Sequence, residues 1–386
     1  MNRLLWIGCI LLAVVFLFYV IALLPLPVRA LTLTTAIPVG NGPYGVAFTP
    51  NGEYAYVTNQ NSHTVSVIST ATNTVVATVP LGTYPNAVAV NPNGEYVYVT
   101  NLGNNTVSVI NTVTNRLTAT INVGALPEGV AVTPDGKYVY VANNDPLSNN
   151  DSVSVISTAT NTVTATITVG RNTSSIALTP DGRYAYVTTY DSNGSLSVIN
   201  TATNTLTATV PVGLWPPSVT ISPNGKYAYV THDIEAVNYV SVISTATNAE
   251  TARITVGNDT ERLAFTPNGE YAYATVLPPE TLGPAPIGNG TLSVINTAKN
   301  KMTASLTILG EPLALAVSPN GAYVYVTTMT NEGGAVLVIN ISNPVTPEFS
   351  TQPLIMTLFV FMIITFSVFI IAKKKQLQDF QKRLNS

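Results

Sequence analysis

Pro50-Asn51-Gly52-Glu53-Tyr54-Ala55-Tyr56-Val57-Thr58-Asn59 is repeated 42 residues later as Pro92-Asn93-Gly94-Glu95-Tyr96-Val97-Tyr98-Val99-Thr100-Asn101. The turn recurs as Pro134-Asp135-Gly136, Pro180-Asp181-Gly182, Pro223-Asn224-Gly225, Pro267-Asn268-Gly269 and Pro319-Asn320-Gly321, at further glycine spacings of 42, 46, 43, 44 and 52. A period of that size is one propeller blade. Asn-Gly and Asp-Gly stand there because a tight hairpin needs backbone at positive φ.

Working outward from the turn gives the rest of the blade. A strand such as Ala87-Val88-Ala89-Val90 precedes it, and the Tyr-x-Tyr strand follows. Next come a strand like Thr64-Val65-Ser66-Val67-Ile68, the polar turn Ala71-Thr72-Asn73, and a strand like Thr74-Val75-Val76-Ala77-Thr78-Val79. Four short antiparallel strands, here A to D, make each repeat. The sequence therefore predicts an all-β, seven-bladed propeller over residues 31–340. The seventh repeat lacks its last strand, and residues 31–38 match it, so they are expected to close the ring and remove a free edge. The Tyr-x-Tyr pairs hold 14 of the 19 tyrosines and are expected to pack between blades with a hydroxyl at a polar edge.

Seven copies ending in Tyr56-Val57-Thr58-Asn59 or its variants resemble the YVTN family of β-propeller repeats over about residues 31–340. Later copies drift, as in Tyr140-Val141-Ala142-Asn143 and Tyr273-Ala274-Thr275-Val276. No Gly-His or Trp-Asp pair recurs, which disfavours WD40. The resemblance implies a surface-layer-like protein of an archaeal envelope.

Both ends read as membrane signals. Residues 4–24 are almost uninterrupted apolar sequence behind Arg3, and Val28-Arg29-Ala30 offers small residues at the −3 and −1 positions of a secretory cleavage site. Residues 1–30 are thus a signal peptide or an uncleaved anchor. Residues 354–372 can span a bilayer as a helix, and Lys373-Lys374-Lys375 should keep the 373–386 tail cytoplasmic. In the 341–353 linker, Pro347-Glu348-Phe349 with the apolar span and basic tail resembles a PEF-type archaeal sorting signal. That resemblance implies processing by a sortase-like enzyme, although Ser350 follows Phe349 where many members carry Pro or Thr. The propeller is expected outside the cytoplasm, at the cell membrane or envelope.

Composition narrows the chemistry. The chain is 46% hydrophobic and only 9% charged. Seven of its 16 basic residues and one of its 19 acids lie outside residues 31–372, leaving 9 basic against 18 acidic groups. That sign excludes nucleic acid as a partner. The only cysteine, Cys9, lies in the first apolar stretch, so the folded part has no cysteine nucleophile or Cys-ligated zinc. His63 and His232 are the only histidines; they fall in B–C loops of blades one and five and are expected to be exposed loop residues rather than metal ligands. No His/Asp/Glu/Arg set visibly converges on the channel, and no cofactor or phosphate-binding loop is read.

Strand order puts the monotonous A–B and C–D turns on one side of the disc and the variable B–C and D–A loops on the other. Tyr44, Tyr84, Leu126, Arg171, Trp215, Glu261, Arg262 and Glu311 are the candidate binding residues of the variable side, with insertions at 144–151 and 276–290. Trp215 and Tyr84 are the foremost contacts. Both ends of the propeller should leave the monotonous side, within about 40 Å of the membrane segment. Sequons at Asn104, Asn150, Asn172, Asn193, Asn258, Asn289 and Asn340 are as many as chance supplies and allow glycosylation. The expectation is a non-enzymatic structural or adhesive surface protein engaging envelope polysaccharide or other surface proteins. An extracytoplasmic enzyme or a solute binder at the channel mouth is the alternative.

Overall fold

Short runs rich in Thr, Val and Tyr, broken every few residues by a positive-φ Gly or Asn, can only build short strands joined by tight turns. The computed structural model describes residues 28–29, 31–148, 150–233, 239–278, 288–330, 333–342 and 344–345. Residues 4–24, the cleavage-site Ala30, Pro347-Glu348-Phe349, the 354–372 segment and the basic tail lie outside the described residues. Among the described residues no helix is long and apolar enough to cross a membrane.

Residues 29–343 form one compact unit, an all-β propeller of seven four-stranded antiparallel blades. Blade one consists of strands A (Pro43–Phe48), B (Tyr54–Asn59), C (Thr64–Ser69) and D (Thr74–Pro80). The later A strands are Pro85–Val90, Pro127–Val132, Thr173–Leu178, Val219–Ile221, Thr260–Phe265 and Glu311–Val317. They ring the centre, each contacting its neighbours, while the D strands lie outermost. Thr32–Pro38 is the D strand of blade seven and pairs antiparallel with Gly333–Asn340, Thr32 opposite Asn340 and Pro38 opposite Ala335. First and last strands of the propeller are thus joined, and no blade is left incomplete.

The turn glycines Gly52, Gly94 and Gly136 sit at φ near 73°, 76° and 72°. A Cβ on Gly94 would meet the Pro50 ring at 3.5 Å, and five further turns lean on the preceding blade's proline in the same way, whereas Gly136 faces Asn91. Asn51 Oδ1 accepts from Glu53 N and from Thr49 Oγ1, which ties the turn without help from the core.

The repeated tetrapeptide has a physical reading. Its tyrosine is buried, and its hydroxyl donates to the C–D turn asparagine of the next blade: Tyr56 to Asn115 at 2.8 Å, Tyr140 to Asn204 at 2.6 Å, Tyr325 to Asn73 at 2.7 Å. The first tyrosine of the pair also packs against the inter-blade clusters in five blades, as Tyr54, Tyr96, Tyr184, Tyr271 and Tyr323. It lies nearer the surface than the second, and in two blades, at Tyr138 and Tyr227, it is 41% and 38% exposed, so there the expectation holds for the second tyrosine alone. The threonine is fully buried. Thr58 Oγ1 accepts from Gly45 N at 2.7 Å and donates to Asn86 O of the next blade at 2.6 Å. Thr100, Thr231, Thr275 and Thr327 bond the next blade's A-strand carbonyl in the same way. The asparagine ties strands B and C, Asn59 Nδ2 donating to Thr64 and Ser66.

His232 occupies this asparagine position in Tyr229-Val230-Thr231-His232. It is fully buried, not exposed as the sequence led us to expect. Its Nδ1 donates to Leu214 O at 2.8 Å, leaving Nε2 to accept from Ser241 at 3.0 Å. Burial holds the imidazole below its ordinary pKa. It replaces a structural amide.

Candidate functional site: the mouth of the channel on the variable face

Each A strand starts on the variable face, so its first residues border the mouth of the central channel. In repeat register, counted back from the Asn-Gly or Asp-Gly turn, the second positions are Tyr44, Asn86, Glu128, Ser174, Pro217, Glu261 and Leu313 in blades one to seven, Pro217 standing just before its strand. The third are small in six blades because neighbouring strands approach closely: a Cβ on Gly45 would stand 2.7 Å from Asn86 O. Blade six breaks that rule with Arg262.

Arg262 has no room to lie outward and instead reaches across the mouth. Nη1 donates to Pro217 O of blade five at 2.8 Å, and Nη2 to the Tyr44 hydroxyl of blade one at 2.9 Å. Its guanidinium carbon lies 5.6 Å from the Tyr44 ring centre. Burial opposes the charge, but Tyr44 and the Glu261 carboxylate outweigh it and hold the group protonated. The Arg262 charge pulls the Tyr44 pKa down, yet burial and the Glu261 and Glu128 charges leave it raised.

Two carboxylates, Glu261 and Glu128, act on this cation, and Asp233 lies near Glu261. Glu128 accepts from Asn144 Nδ2 at 2.9 Å, and burial raises its pKa against that bond. Burial pushes Glu261 up to about 7; Arg262 opposes the shift, and Asp233, Glu311 and Asp259 reinforce it. Asp233 accepts from the Tyr190 hydroxyl at 2.6 Å, and Tyr190 lies edge-on to Trp215 at 5.2 Å between ring centres. Burial and that carboxylate together raise the Tyr190 pKa. No convergent charged set was expected from the sequence. The structure corrects this: Tyr44, Glu128, Glu261 and Arg262, distant in sequence, share one rim.

The other candidates lie around that rim. Tyr44, Glu261, Arg262 and Glu311 fall within A strands, not in loops as expected. Arg171 is an exposed loop residue. Tyr84, Leu126 and Trp215 stand directly before Pro85, Pro127 and Pro216, with φ of 54°, 40° and 45°. The same position carries Gly42, Asn172 and Asp259 in other blades, at φ of 66°, 53° and 52°. Left-handed backbone suits Gly, Asn and Asp; on a large side chain it costs roughly 1–3 kcal/mol. The loops impose it. Leu102 N donates to Tyr84 O, Asn144 N to Leu126 O and Asp233 N to Trp215 O, while their own amides bond His63 Nδ1, Asn105 Oδ1 and Asp191 O. Tyr84 is 50% exposed.

Among the described residues no group of three His, Cys, Asp or Glu side chains is placed to hold a metal ion. The opposite face is not featureless. One groove of about 240 Å³ lies between blades seven and one against Phe48, Asn73 and Tyr325. Another, of about 760 Å³, lies between blades four and five against Pro180, Tyr184, Pro223 and Tyr227.

Residues 28–158 match the family described as "Lactonase, 7-bladed beta-propeller". That range covers the closing strand, blades one and two, and most of blade three. No curated protein matches the chain. Among solved structures, the Kuenenia stuttgartiensis hydrazine synthase superposes with a TM-score of 0.70 at 21% identity, over 79% of this chain and 97% of that one. At that identity the likeness is one of fold.

Proposed function

We propose that this chain is a membrane-anchored cell-surface propeller that meets its partner through the variable face. One observation carries the reading: Tyr84, Leu126 and Trp215 are held in left-handed backbone at loop positions where Gly, Asn or Asp would sit without strain. A folded chain keeps such strain where it presents a side chain for use. The two terminal apolar segments and the Lys373-Lys374-Lys375 run support anchoring. The pairing of Thr32 with Asn340 supports an exit of both ends from the turn side, with the variable side away from the bilayer. On this reading the partner is an envelope polysaccharide or another surface protein. The YVTN-like repeats, an archaeal surface-layer role and PEF-type processing by a sortase-like enzyme belong to the same proposal. The test is retention of the full chain on isolated envelope material. The triple variant Tyr84→Ala, Leu126→Ala, Trp215→Ala should lose at least tenfold in binding with an unchanged melting temperature. Retention equal to wild type would overturn the reading.

The convergence of Arg262 with Glu128 and Glu261, together with the lactonase-type match, favours a second reading, an extracytoplasmic hydrolase at the channel mouth. Turnover of a lactone panel by wild type, abolished in Arg262→Met, would decide for it.

A further inference from the structure

The residue after each turn glycine is matched to the turn. In blades one and two, Asn51 and Asn93 donate through Nδ2 to Glu53 and Glu95, each at 2.9 Å. In blade three the Asp135 carboxylate holds Lys137 at 3.2 Å. Blade six repeats the first pairing in sequence with Asn268 and Glu270, blade four the second with Asp181 and Arg183, and blade seven carries Ala322. Blade five alone sets a lysine, Lys226, behind an asparagine, Asn224. Asn224 Oδ1 is already occupied by the Ser222 hydroxyl and the Lys226 amide, and its Nδ2 is a donor, of no use to an ammonium group. Arg183 departs from its pattern too: its guanidinium carbon lies 5.8 Å from the Tyr184 ring centre rather than against Asp181. Neither Arg183 nor Lys226 pairs with a carboxylate among the described residues.

Both cations line one groove. It is the groove of about 760 Å³ between blades four and five, with Arg183 and Tyr184 from one blade and Lys226, Tyr227, Ser244 and Thr245 from the other. Its counterpart between blades seven and one holds about 240 Å³ and is lined by no charged side chain. Phe48 lines that smaller groove, edge-on to Tyr325, and Ile221 stands at its register position in blade five. Space and positive charge therefore depart from the repeat together, at the same blade boundary. One carboxyl group, Asp181, shares the larger groove, and its Oδ1 accepts from the Thr179 hydroxyl at 2.6 Å and the Arg183 amide at 3.1 Å. A planar fork of donors opposite a mobile point charge suits an anion with several oxygens, above all a phosphate ester. The volume is that of a small-molecule site, roughly 300–1,000 Å³.

We propose that this groove binds the phosphate of a membrane-lipid headgroup, with Arg183 and Lys226 as its two cations. The lipid as source rests on the proposed anchoring, which turns this side of the disc toward the bilayer; the affinity for a phosphate ester rests on the groove alone. A headgroup seated at blades four and five, away from the disc centre, fixes the tilt of the propeller against the membrane.

The full chain in neutral detergent is titrated calorimetrically with dihexanoylphosphatidylglycerol, with dihexanoylphosphatidylcholine and with inorganic phosphate. The first lipid carries an uncompensated phosphate charge, and the second covers its phosphate with a trimethylammonium group. Wild type should bind the phosphatidylglycerol saturably and the other two at least tenfold more weakly. Arg183→Gln with Lys226→Gln should lose at least tenfold in affinity at an unchanged melting temperature. Lys299→Gln with Lys301→Gln, which removes the same charge from blade six, should change affinity less than twofold. Ala246→Trp keeps every charge and sets a ring into the groove, so it should also lose at least tenfold, which a diffuse attraction would not show. Silence of the phosphatidylglycerol, equal loss in the blade-six variant, or full binding by Ala246→Trp overturns the inference. Inorganic phosphate binding as tightly as the lipid overturns it as well, because the groove would then serve free phosphate. None of these results touches the envelope-retention test, which rests on Tyr84, Leu126 and Trp215, so failure of one is distinguishable from failure of the other.

Discussion

Replacing Thr58 by Val keeps the shape of the side chain and removes one oxygen, which tests how the blades are held together. Thr58 is fully buried. Its hydroxyl accepts from Gly45 N at 2.7 Å and donates across the blade boundary to Asn86 O at 2.6 Å. Losing the inter-blade bond should cost about 1 kcal/mol, and stranding the Gly45 amide without a partner about 1–3 kcal/mol more. The added methyl recovers less than about 1 kcal/mol of apolar burial. The sum is a destabilisation of about 2–3 kcal/mol, or a melting temperature about 3–5 °C lower for a domain of this size. Differential scanning calorimetry of the full chain in detergent reads it. Exposed Thr72→Val, in a C–D turn, serves as the control and should move the melt by less than 1 °C. A Thr58→Val shift as small as the control's would refute the argument that the repeated threonine locks neighbouring blades.

Three further outcomes follow from other parts of the structure. Burial raises the Glu261 pKa from 4.5 to about 7, so the folded state holds a proton that the unfolded chain releases in that interval. Stability is lost as pH rises through it, and Glu261→Gln should stabilise the protein by up to about 3 kcal/mol at pH 8 and by nothing at pH 4; equal melting shifts at both pH values would contradict this. Deleting residues 31–38 removes the ladder from Thr32 to Pro38 and the buried Ile37, so cooperative melting should give way to aggregation. An unchanged transition would mean that the ring does not depend on closure. Mass spectrometry of protein from its native membrane should find a new C-terminus near Phe349, and an intact Ser386 would mean a plain anchor without sorting.

The repeat made the fold legible because each copy states the same local rule. Positive φ at Gly52 and its counterparts, the alternation along Tyr54–Asn59, and the match of residues 31–38 to a missing strand all act within one blade or across one hydrogen-bonded edge. The channel mouth was harder to read, since Arg262 meets Tyr44 across 218 residues and only the closed ring brings them together. A signal was nevertheless present. Laid over the other copies, Arg262 stands where Gly45, Ala87, Gly129, Ser175, Ser218 and Ala314 are all small, and His232 stands where Asn59, Asn101 and Asn143 bind strand C. Departures from the repeat mark what one blade does alone: at Arg262 it is the site, and at His232 it is a substitute packing solution. The strain at Tyr84, Leu126 and Trp215 had no sequence signal beyond the proline that follows each, because φ is imposed by hydrogen bonds from the adjoining B–C loop.

On the proposed function, the anchored propeller turns its variable side outward and its repeated turns toward the membrane. Single cysteines at Leu147, Asn93 and Asn320, in a chain whose Cys9 is replaced by Ser, test it on intact cells with a membrane-impermeant maleimide. All three positions are exposed in the fold, Leu147 at 97%, so intrinsic access does not separate them. Cysteine at 147 should label several-fold faster than cysteine at 93 or 320, with the difference abolished once the protein is solubilised in detergent. Equal rates on intact cells, or faster labelling at 93 and 320, would place the turn side outward and contradict the account.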